Sequence, residues 1–580
     1  MSLLPALLLA LGAATQPTPE PDARPNVVVV ISDDQGWGDL SAHGNPTLRT
    51  PRLDEMRGRA VRFERFYADP LCAPTRAALL TGRYPLRTGV RGVTRGGETM
   101  RAEEVTIAEA LGEAGYETGA FGKWHNGAHY PQDARGQGFG TFFGFSEGHA
   151  NAYFDPVLDR DGEEVPTRGY VTDVVTDAAV AFMGAPREAP YLAWVAYNTP
   201  HAPFQVPDAD YDRYAALGLD PKLAAIYGMV ENLDRNTGRI LDAARSDDRD
   251  TIVVFLSDNG PNGARYNDGL KGTKGGVDEG SIRVPMFVLL PGQAEGRRVE
   301  APAAHVDLLP TLLGLLGLEP PRGVALDGVD LSPLLLGEEG AAPPERLLFA
   351  HRTTDEEVLA TPGTVRDARY RAVLEEGATA WRLYDLAADP GQTRDLAEAF
   401  PERTGALASA WEAWFADVTR RAPGWPDIEV GHEEAPVVTL PAHEAHLSDL
   451  GARYGEPHGW SHDWITGWGP GGHAEWRVAV VRPGRYEAVL QLGGEGDAEV
   501  ALTAGGASLE RRLRGLPAAP VLALPDRIPR KEAAARGWSE VSLGTLALTG
   551  DADRVVLRVD PASGARLDVK GLVLERVGPL

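Results

Sequence analysis

Residues 27–31 (VVVVI) form an unbroken apolar run that stops at Ser-Asp-Asp-Gln-Gly. Residues 251–256 (TIVVFL) stop in the same way at Ser-Asp-Asn-Gly, and residues 191–197 (YLAWVAY) stop at Asn-Thr-Pro-His. Apolar runs without polar alternation belong to strands buried on both faces of a sheet. Helical periodicity lies between them, as in residues 105–115. Strand and helix in alternation predict an α/β fold with a mostly parallel sheet flanked by helices. Ligands of such sheets bind beyond the carboxyl ends of the strands. The polar clusters that end these runs are therefore where distant stretches of chain are expected to converge.

The pattern changes near residue 344. Residues 369–374 and 380–385 read as short antiparallel strands and 401–418 as a helix, which predicts a small α+β subdomain over 345–420 behind a catalytic domain at 25–344. Residues 421–427 (RAPGWPD) open a predicted linker that runs to 445. From 446 to 580 the alternation in 474–480, 485–492, 554–559 and 572–577 predicts an appended β-sandwich. Tyr454, Trp460, Trp464 and Trp468 lie in its first part. Such aromatics usually pack, and they can also stack on sugar rings. Residues 1–16 (MSLLPALLLALGAATQ) are apolar, too short to span a bilayer, and precede a Pro-rich polar stretch. They read as a signal peptide, so the chain is expected to be exported, to the periplasm or the medium. No later segment reads as a membrane span.

The chain has 580 residues, of which 43% are hydrophobic, enough for a large core. Its formal net charge is -26. Such a surface offers nucleic acid no basic footprint, and an anionic substrate needs a local basic pocket. The single cysteine, Cys72, excludes an intramolecular disulfide.

Asp33 and Asp34 close the first apolar run, and Asp258 and Asn259 close another. Each pair alone is more often a turn than a ligand set. Together, three carboxylates and an amide suit a hard cation, Ca²⁺ or alternatively Mg²⁺. Lys123 and His125 stand two residues apart in FGKWHN; on an extended segment they share a face, one supplying a point charge and the other a proton carrier. His201 follows the third run in NTPHAP.

Cys72 lies in LCAPTR, with Thr81-Gly82-Arg83 close behind. This window resembles the signature of the type I, formylglycine-dependent sulfatases, C-x-P-S/T-R with a nearby T-G-R; Thr75 stands where Ser is commoner. Residues 122–125 (GKWH) resemble a second motif of that family, with Asn126 in place of an apolar residue. Residues 199–203 (TPHAP) resemble a third. Residues 274–285 (KGGVDEGSIRVP) are similar to K-G-x-x-x-E-G-G-x-R-x-P, with Ser281 replacing a Gly, and Lys274 fits this spacing better than Lys271. Residues 384–390 (YDLAADP) are similar to a further segment, so the resemblance covers about 25–420.

The resemblance implies an alkaline-phosphatase-like fold and a sulfuric ester hydrolase. It implies conversion of Cys72 to formylglycine by a formylglycine-generating enzyme. One hydroxyl of the hydrated aldehyde then attacks sulfur, and the second expels sulfate. Asp33, Asp34, Asp258 and Asn259, with position 72, become the ligands of the cation, which polarises the sulfate. Arg76 fixes the diol, Lys123 holds diol and sulfate, and His125 assists elimination. His201 and Lys274 contact sulfate and serve the leaving oxygen. The basic pocket of Arg76, Lys123 and Lys274 resolves the charge puzzle, because a cleft can attract an anion that the whole surface repels. The expected substrate is a sulfated carbohydrate or aryl sulfate, with residues 142–155 as a candidate cleft wall. The rival readings are a phosphonate monoester hydrolase or phosphodiesterase of the same superfamily, and a silent glycan-binding protein.

Overall fold

The computed structural model describes residues 24–580 apart from 294, 343–344, 354–356, 422–423 and 425. The expected signal peptide at 1–16 and part of the expected linker lie outside the described residues.

Eleven strands build the central sheet: β1 (Asn26–Ser32), β2 (Val61–Tyr67), β3 (Glu117–Lys123), β4 (Thr141–Phe145), β5 (Val157–Arg160), β6 (Glu163–Pro166), β7 (Tyr191–Ala196), β8 (Thr251–Ser257), β9 (Arg283–Leu289), β10 (Arg297–Val299) and β11 (Ala303–Ala304). Their order is β10-β2-β9-β8-β1-β7-β3-β4-β5-β6, with β11 also against β2. β1 runs parallel to β7 and β8, and β3 runs parallel to β7 and β4. β9 is antiparallel to both its neighbours, β8 and β2. The mixed, mostly parallel sheet is the one the apolar runs predict.

β1 shows why its run carries no polar alternation. Val27, Val29 and Ile31 enter one core while Val28 and Val30 enter the other, all fully buried. Helices cover both faces. The helix Pro221–Ser246, capped by the Asp220 carboxylate on the Lys222 and Leu223 amides, lays Met229, Val230 and Leu233 on one face. The helices Cys72–Thr81 and Leu308–Leu315 cover the other. Because β1, β2, β3, β7 and β8 point the same way, their carboxyl tips share one edge of the sheet. Antiparallel β9 begins at that edge, so the connection from β8 to β9 never leaves it.

A four-stranded antiparallel sheet follows, Leu348–His351, Gly363–Arg366, Tyr370–Leu374 and Arg382–Asp385, packed by the helix Pro401–Val418. Glu279, in the β8–β9 connection, ties it to the central domain. Its carboxylate accepts from Tyr67 Oη at 2.8 Å and lies 3.0 Å from the guanidinium of Arg371, both side chains buried.

The rest is a two-sheet sandwich over one apolar core. It starts earlier than the sequence implies. Ile428–Val430 pairs with residues 478–480 and Val437–Pro441 with residues 571–575, so these two stretches of the expected linker at 421–445 are strands. They are short and flanked by Pro, which hides their alternation. Trp464 and Trp468 are not free to stack on sugars. Both are buried, Trp468 donating its indole N–H to Leu567 O at 3.0 Å and Trp464 lying 4.1 Å under the Arg536 guanidinium. Tyr454 donates to Ala445 O, and half-buried Trp460 stacks on His458.

Candidate active site

The tips of β1 and β8 lock together first. Asp33 and Asp34 follow β1 directly, and Asp34 takes a left-handed φ of 66°, which a short polar side chain tolerates. Its amide donates to Asp258 Oδ1 at 3.1 Å, and Asn259 Nδ2 donates to Asp34 Oδ1 at 2.8 Å. All four side chains are fully buried, yet Asp33 Oδ1, Asp34 Oδ2 and Asn259 Oδ1 have no hydrogen-bond partner among the described residues. Buried acceptors rarely stay unpaired. Atoms of Asp33, Cys72 and Asp258 lie within 4.8 Å of one another. An all-oxygen set with three spare acceptors fits a hard divalent cation.

The helix after β2 brings in position 72. Cys72 is the first residue of Cys72–Thr81, a helix buried along its whole length, so the positive end of the helix faces the carboxylates. Thr75 Oγ accepts from the Asp69 amide at 2.9 Å and fixes the entry turn. Gly82 ends the helix with φ 66°, and Arg83 turns away to pair with Glu104. The Thr-Gly-Arg element is thus structural in the folded protein.

Three cations interleave with the carboxylates. Arg76, one turn into the helix, grips Asp258 Oδ2 with Nε at 3.1 Å and Nη2 at 2.8 Å, and donates to Lys123 O. Lys123 Nζ, at the tip of β3, is 2.7 Å from Asp33 Oδ2. Lys274 Nζ arrives on the β8–β9 connection, 2.6 Å from Asp34 Oδ1 and 3.9 Å from Cys72 Sγ. His201 Nε2, beyond β7, is 3.8 Å from Asp34 Oδ2. Lys271 instead pairs with Asp278, outside the cluster.

The electrostatics follow from burial and this interleaving. Burial pushes Asp33 up, but Lys123, His201, Arg76 and Lys274 outweigh it and hold the carboxyl well below the usual range. Asp258 moves the other way, to about 7, because burial and the Asp33 charge overcome Arg76. Burial raises the Cys72 thiol against the pull of Lys123 and Lys274. Burial lowers Lys274, but Asp34 and its neighbours more than reverse that and keep it protonated. Burial and Lys274 lower His201.

Nine of the ten sequence-derived positions, Cys72 among them, thus meet in one cluster by direct contact or through one neighbour. His125 sits beside them by another route than expected. β3 ends at Lys123, and His125 takes a left-handed φ of 63°, so a shared strand face does not place it. Its Nε2 is 2.9 Å from Val93 O, Nδ1 is buried with no hydrogen-bond partner among the described residues, and burial with Lys123 holds it well below the usual histidine range.

This constellation has relatives. The sulfatase family model matches residues 25–318, and the model described as N-sulphoglucosamine sulphohydrolase, C-terminal, matches 274–404. The chain is 34% identical over 364 residues to N-acetylgalactosamine-6-sulfatase of Mus musculus, covering 56% of this chain and 68% of the relative. It is 32% identical over 477 residues to arylsulfatase A of Homo sapiens, covering 69% and 89%. The chain belongs to the sulfatase family. This sulfatase, a sulfuric ester hydrolase, also resembles a crystal structure of Ps i-CgsB in complex with k-i-k-neocarrahexaose, with TM-score 0.63, 27% identity, and 69% of this chain and 94% of that one covered.

Sequence reasoning missed how far the sandwich of this sulfatase reaches into the cleft. His149 stacks toward His201, ring centres 6.3 Å apart, and His462 of the sandwich meets His149 edge-on at 5.0 Å. Arg530 of the sandwich donates to Asn151 Oδ1 at 2.8 Å, and Gln205 donates to Asp526 Oδ1 at 2.8 Å. Of the expected wall at 142–155, Phe142, Phe143 and Phe145 are core residues of β4, while His149 and Asn151 face this seam. No local spacing announces contacts between residues more than 300 positions apart.

Proposed function

We propose that this sulfatase hydrolyses sulfate esters of carbohydrates at position 72, with Cys72 first oxidised to formylglycine. One observation carries this reading: the lone cysteine begins a buried helix inside a ring of three acids and three cations, beside buried acceptors that no described residue pairs. Asp33, Asp34, Asp258 and Asn259 would hold a Ca²⁺ or Mg²⁺ ion, which supplies Lewis acidity toward a sulfate oxygen. Formylglycine would supply a nucleophile that water regenerates.

The chain's own residues do the rest. Arg76 and Lys123 hold the Asp258 and Asp33 carboxyls in place, keep Asp33 ionised, and set positive charge beside position 72. Lys274 is held protonated between Asp34 and Cys72, so it can bind a sulfate oxygen and carry charge as the ester bond breaks. His201, with one ring nitrogen tied to Ala202 O at 2.6 Å, presents the other toward Asp34 and the leaving group. Lys274 and His201 keep 16% and 14% of their side chains exposed beside fully buried acids, and so mark the mouth of the site. The ester plus water gives an alcohol and sulfate.

A carbohydrate substrate is supported by the relatives' named substrate and bound sugar, and by a cleft wall built from two domains. The apolar leader at 1–16 supports export. The test is a panel of sulfated mono- and oligosaccharides, aryl sulfate, a phosphate diester and a phosphonate. The protein is co-expressed with a formylglycine-generating enzyme and checked by mass analysis of the Cys72 peptide. Sulfate release from a sugar ester by the wild type, and none by Cys72→Ala, is expected. Faster turnover of the phosphonate or diester, or equal activity in Cys72→Ala, would refute the reading.

A further inference from the structure

A second cluster of titratable groups lies outside the catalytic set, on the seam between the central domain and the sandwich. Glu98 and His129 come from the central domain, and His443 and Glu444 from the turn after Val437–Pro441. Glu98 is 8% exposed and His443 6%. One ligand atom each of Glu98, His443 and Glu444 lies within 4.8 Å of the others. His129 Nε2 is 2.9 Å from Glu444 Oε2. Glu98 Oε2 and His443 Nδ1 are buried with no hydrogen-bond partner among the described residues. A cavity of about 30 Å³ borders His129 and Glu444, and one buried water needs about 10–15 Å³.

Two buried carboxylates beside a single imidazole partner are unfavourable unless something compensates them. Protonation is one remedy: burial and the Glu444 charge push Glu98 up to about 8, while burial holds His443 down at about 4. A divalent ion is the other. It would satisfy the bare Glu98 oxygen and the bare His443 nitrogen at once. An imidazole with two carboxylates suits a first-row ion of the zinc type, whereas the all-oxygen catalytic set suits a hard one.

We propose that Glu98, His443 and Glu444 form a zinc-type site that staples the sandwich to the catalytic domain, with His129 orienting the Glu444 carboxylate. The staple also backs the catalytic cleft. Glu98 sits on the strap whose Val93 O lies 2.9 Å from His125 Nε2 and whose Met100 amide donates to Asn126 O at 3.0 Å.

The test uses the full-length protein, stripped with chelator, returned to metal-free buffer with excess Ca²⁺, and titrated with Zn²⁺. One zinc per chain by elemental analysis after gel filtration, with a rise in Tm, is expected. His443→Ala and Glu98→Gln should lose both, and His129→Ala should bind zinc about 10–100-fold more weakly. Glu98→Gln conserves shape and guards against a variant that merely misfolds. Co²⁺ added to the wild type should give visible d–d bands that zinc abolishes. A wild type that takes up no zinc overturns the proposal. So does zinc uptake that is unchanged in both His443→Ala and Glu98→Gln, since the ion would then sit elsewhere. Failure of the sulfatase assay would leave these readouts untouched.

Discussion

The tip of β3 is held by contacts that have no room for a methyl group. Gly122 and Gly144 are direct partners in the parallel β3–β4 register. A Cβ at Gly144 would lie 1.8 Å from Gly122 O, and one at Gly122 would lie 2.1 Å from Ala196 O in β7. In Gly144→Ala the first contact must open from 1.8 Å to at least 3.0 Å. Backbone meets backbone there, so no flexible side chain can give way. Overpacking of this kind costs about 1–3 kcal/mol. The larger effect falls on the residue after Gly122, because Lys123 Nζ must stay 2.7 Å from Asp33. A catalytic group displaced by about 1 Å loses about 100-fold in rate. Gly144→Ala is therefore expected to stay folded with a somewhat lower Tm and to lose about 100-fold in kcat/KM, read as sulfate release at low substrate. Gly140→Ala, whose Cβ meets nothing nearer than 3.6 Å, is the control. Wild-type kcat/KM in fully matured Gly144→Ala would refute the reasoning.

Other outcomes follow from the same geometry. Lys274→Ala should lower kcat/KM by at least about 100-fold, since one preorganised charge contributes about 3 kcal/mol; a change in KM alone would argue for mere substrate capture. Prolonged chelation should abolish activity and lower Tm, and Ca²⁺ or Mg²⁺ should restore both, because three buried acceptors unpaired among the described residues would lose the proposed ion. Arg371→Leu removes the nearest guanidinium from the buried Glu279 carboxylate, leaving Tyr67 Oη and Arg283 at 3.6 Å, and should cost about 1–3 kcal/mol in denaturant unfolding; no measurable loss would show that Tyr67 and Arg283 suffice. His305 supplies a pH test. Burial lowers it, but Asp69, 2.9 Å away, raises it above its ordinary 6.5 overall. The pair's contribution is thus fully present below 6.5 and fades as pH rises through the folded-state value. Wild-type stability should fall across that window, and His305→Gln should flatten the fall.

The sheet was legible because burial on both faces removes polar alternation, as Val27 to Ile31 demonstrates. The metal-ligand candidates were legible because parallel strands deliver their tips to one edge. Lys274 is subtler: only the antiparallel turn of β9 keeps its loop at that edge, and the motif rather than the pattern pointed to it. His125 lies beside the cluster through a backbone reversal at φ 63° and not a shared strand face, and such a reversal leaves no trace in the composition. The sandwich was legible as a class but not in its start, because strands of three and five residues between prolines carry too few alternations. His149, His462 and Arg530 were out of reach, since a seam between domains follows from packing and no periodicity encodes it.

The sealed position of Cys72 sets an order of events in the life of the chain. The thiol is 2% exposed, on a helix no residue of which reaches the surface. A small ester can slip past Lys274 and His201, but another protein cannot bring its own reaction centre that deep. Any enzyme that rewrites this side chain must therefore meet it as a bare peptide, before β2 and the β8–β9 connection close over it. Under the proposed mechanism, a molecule that folds too early would keep its sulfur and differ from a matured one by a single unreachable group.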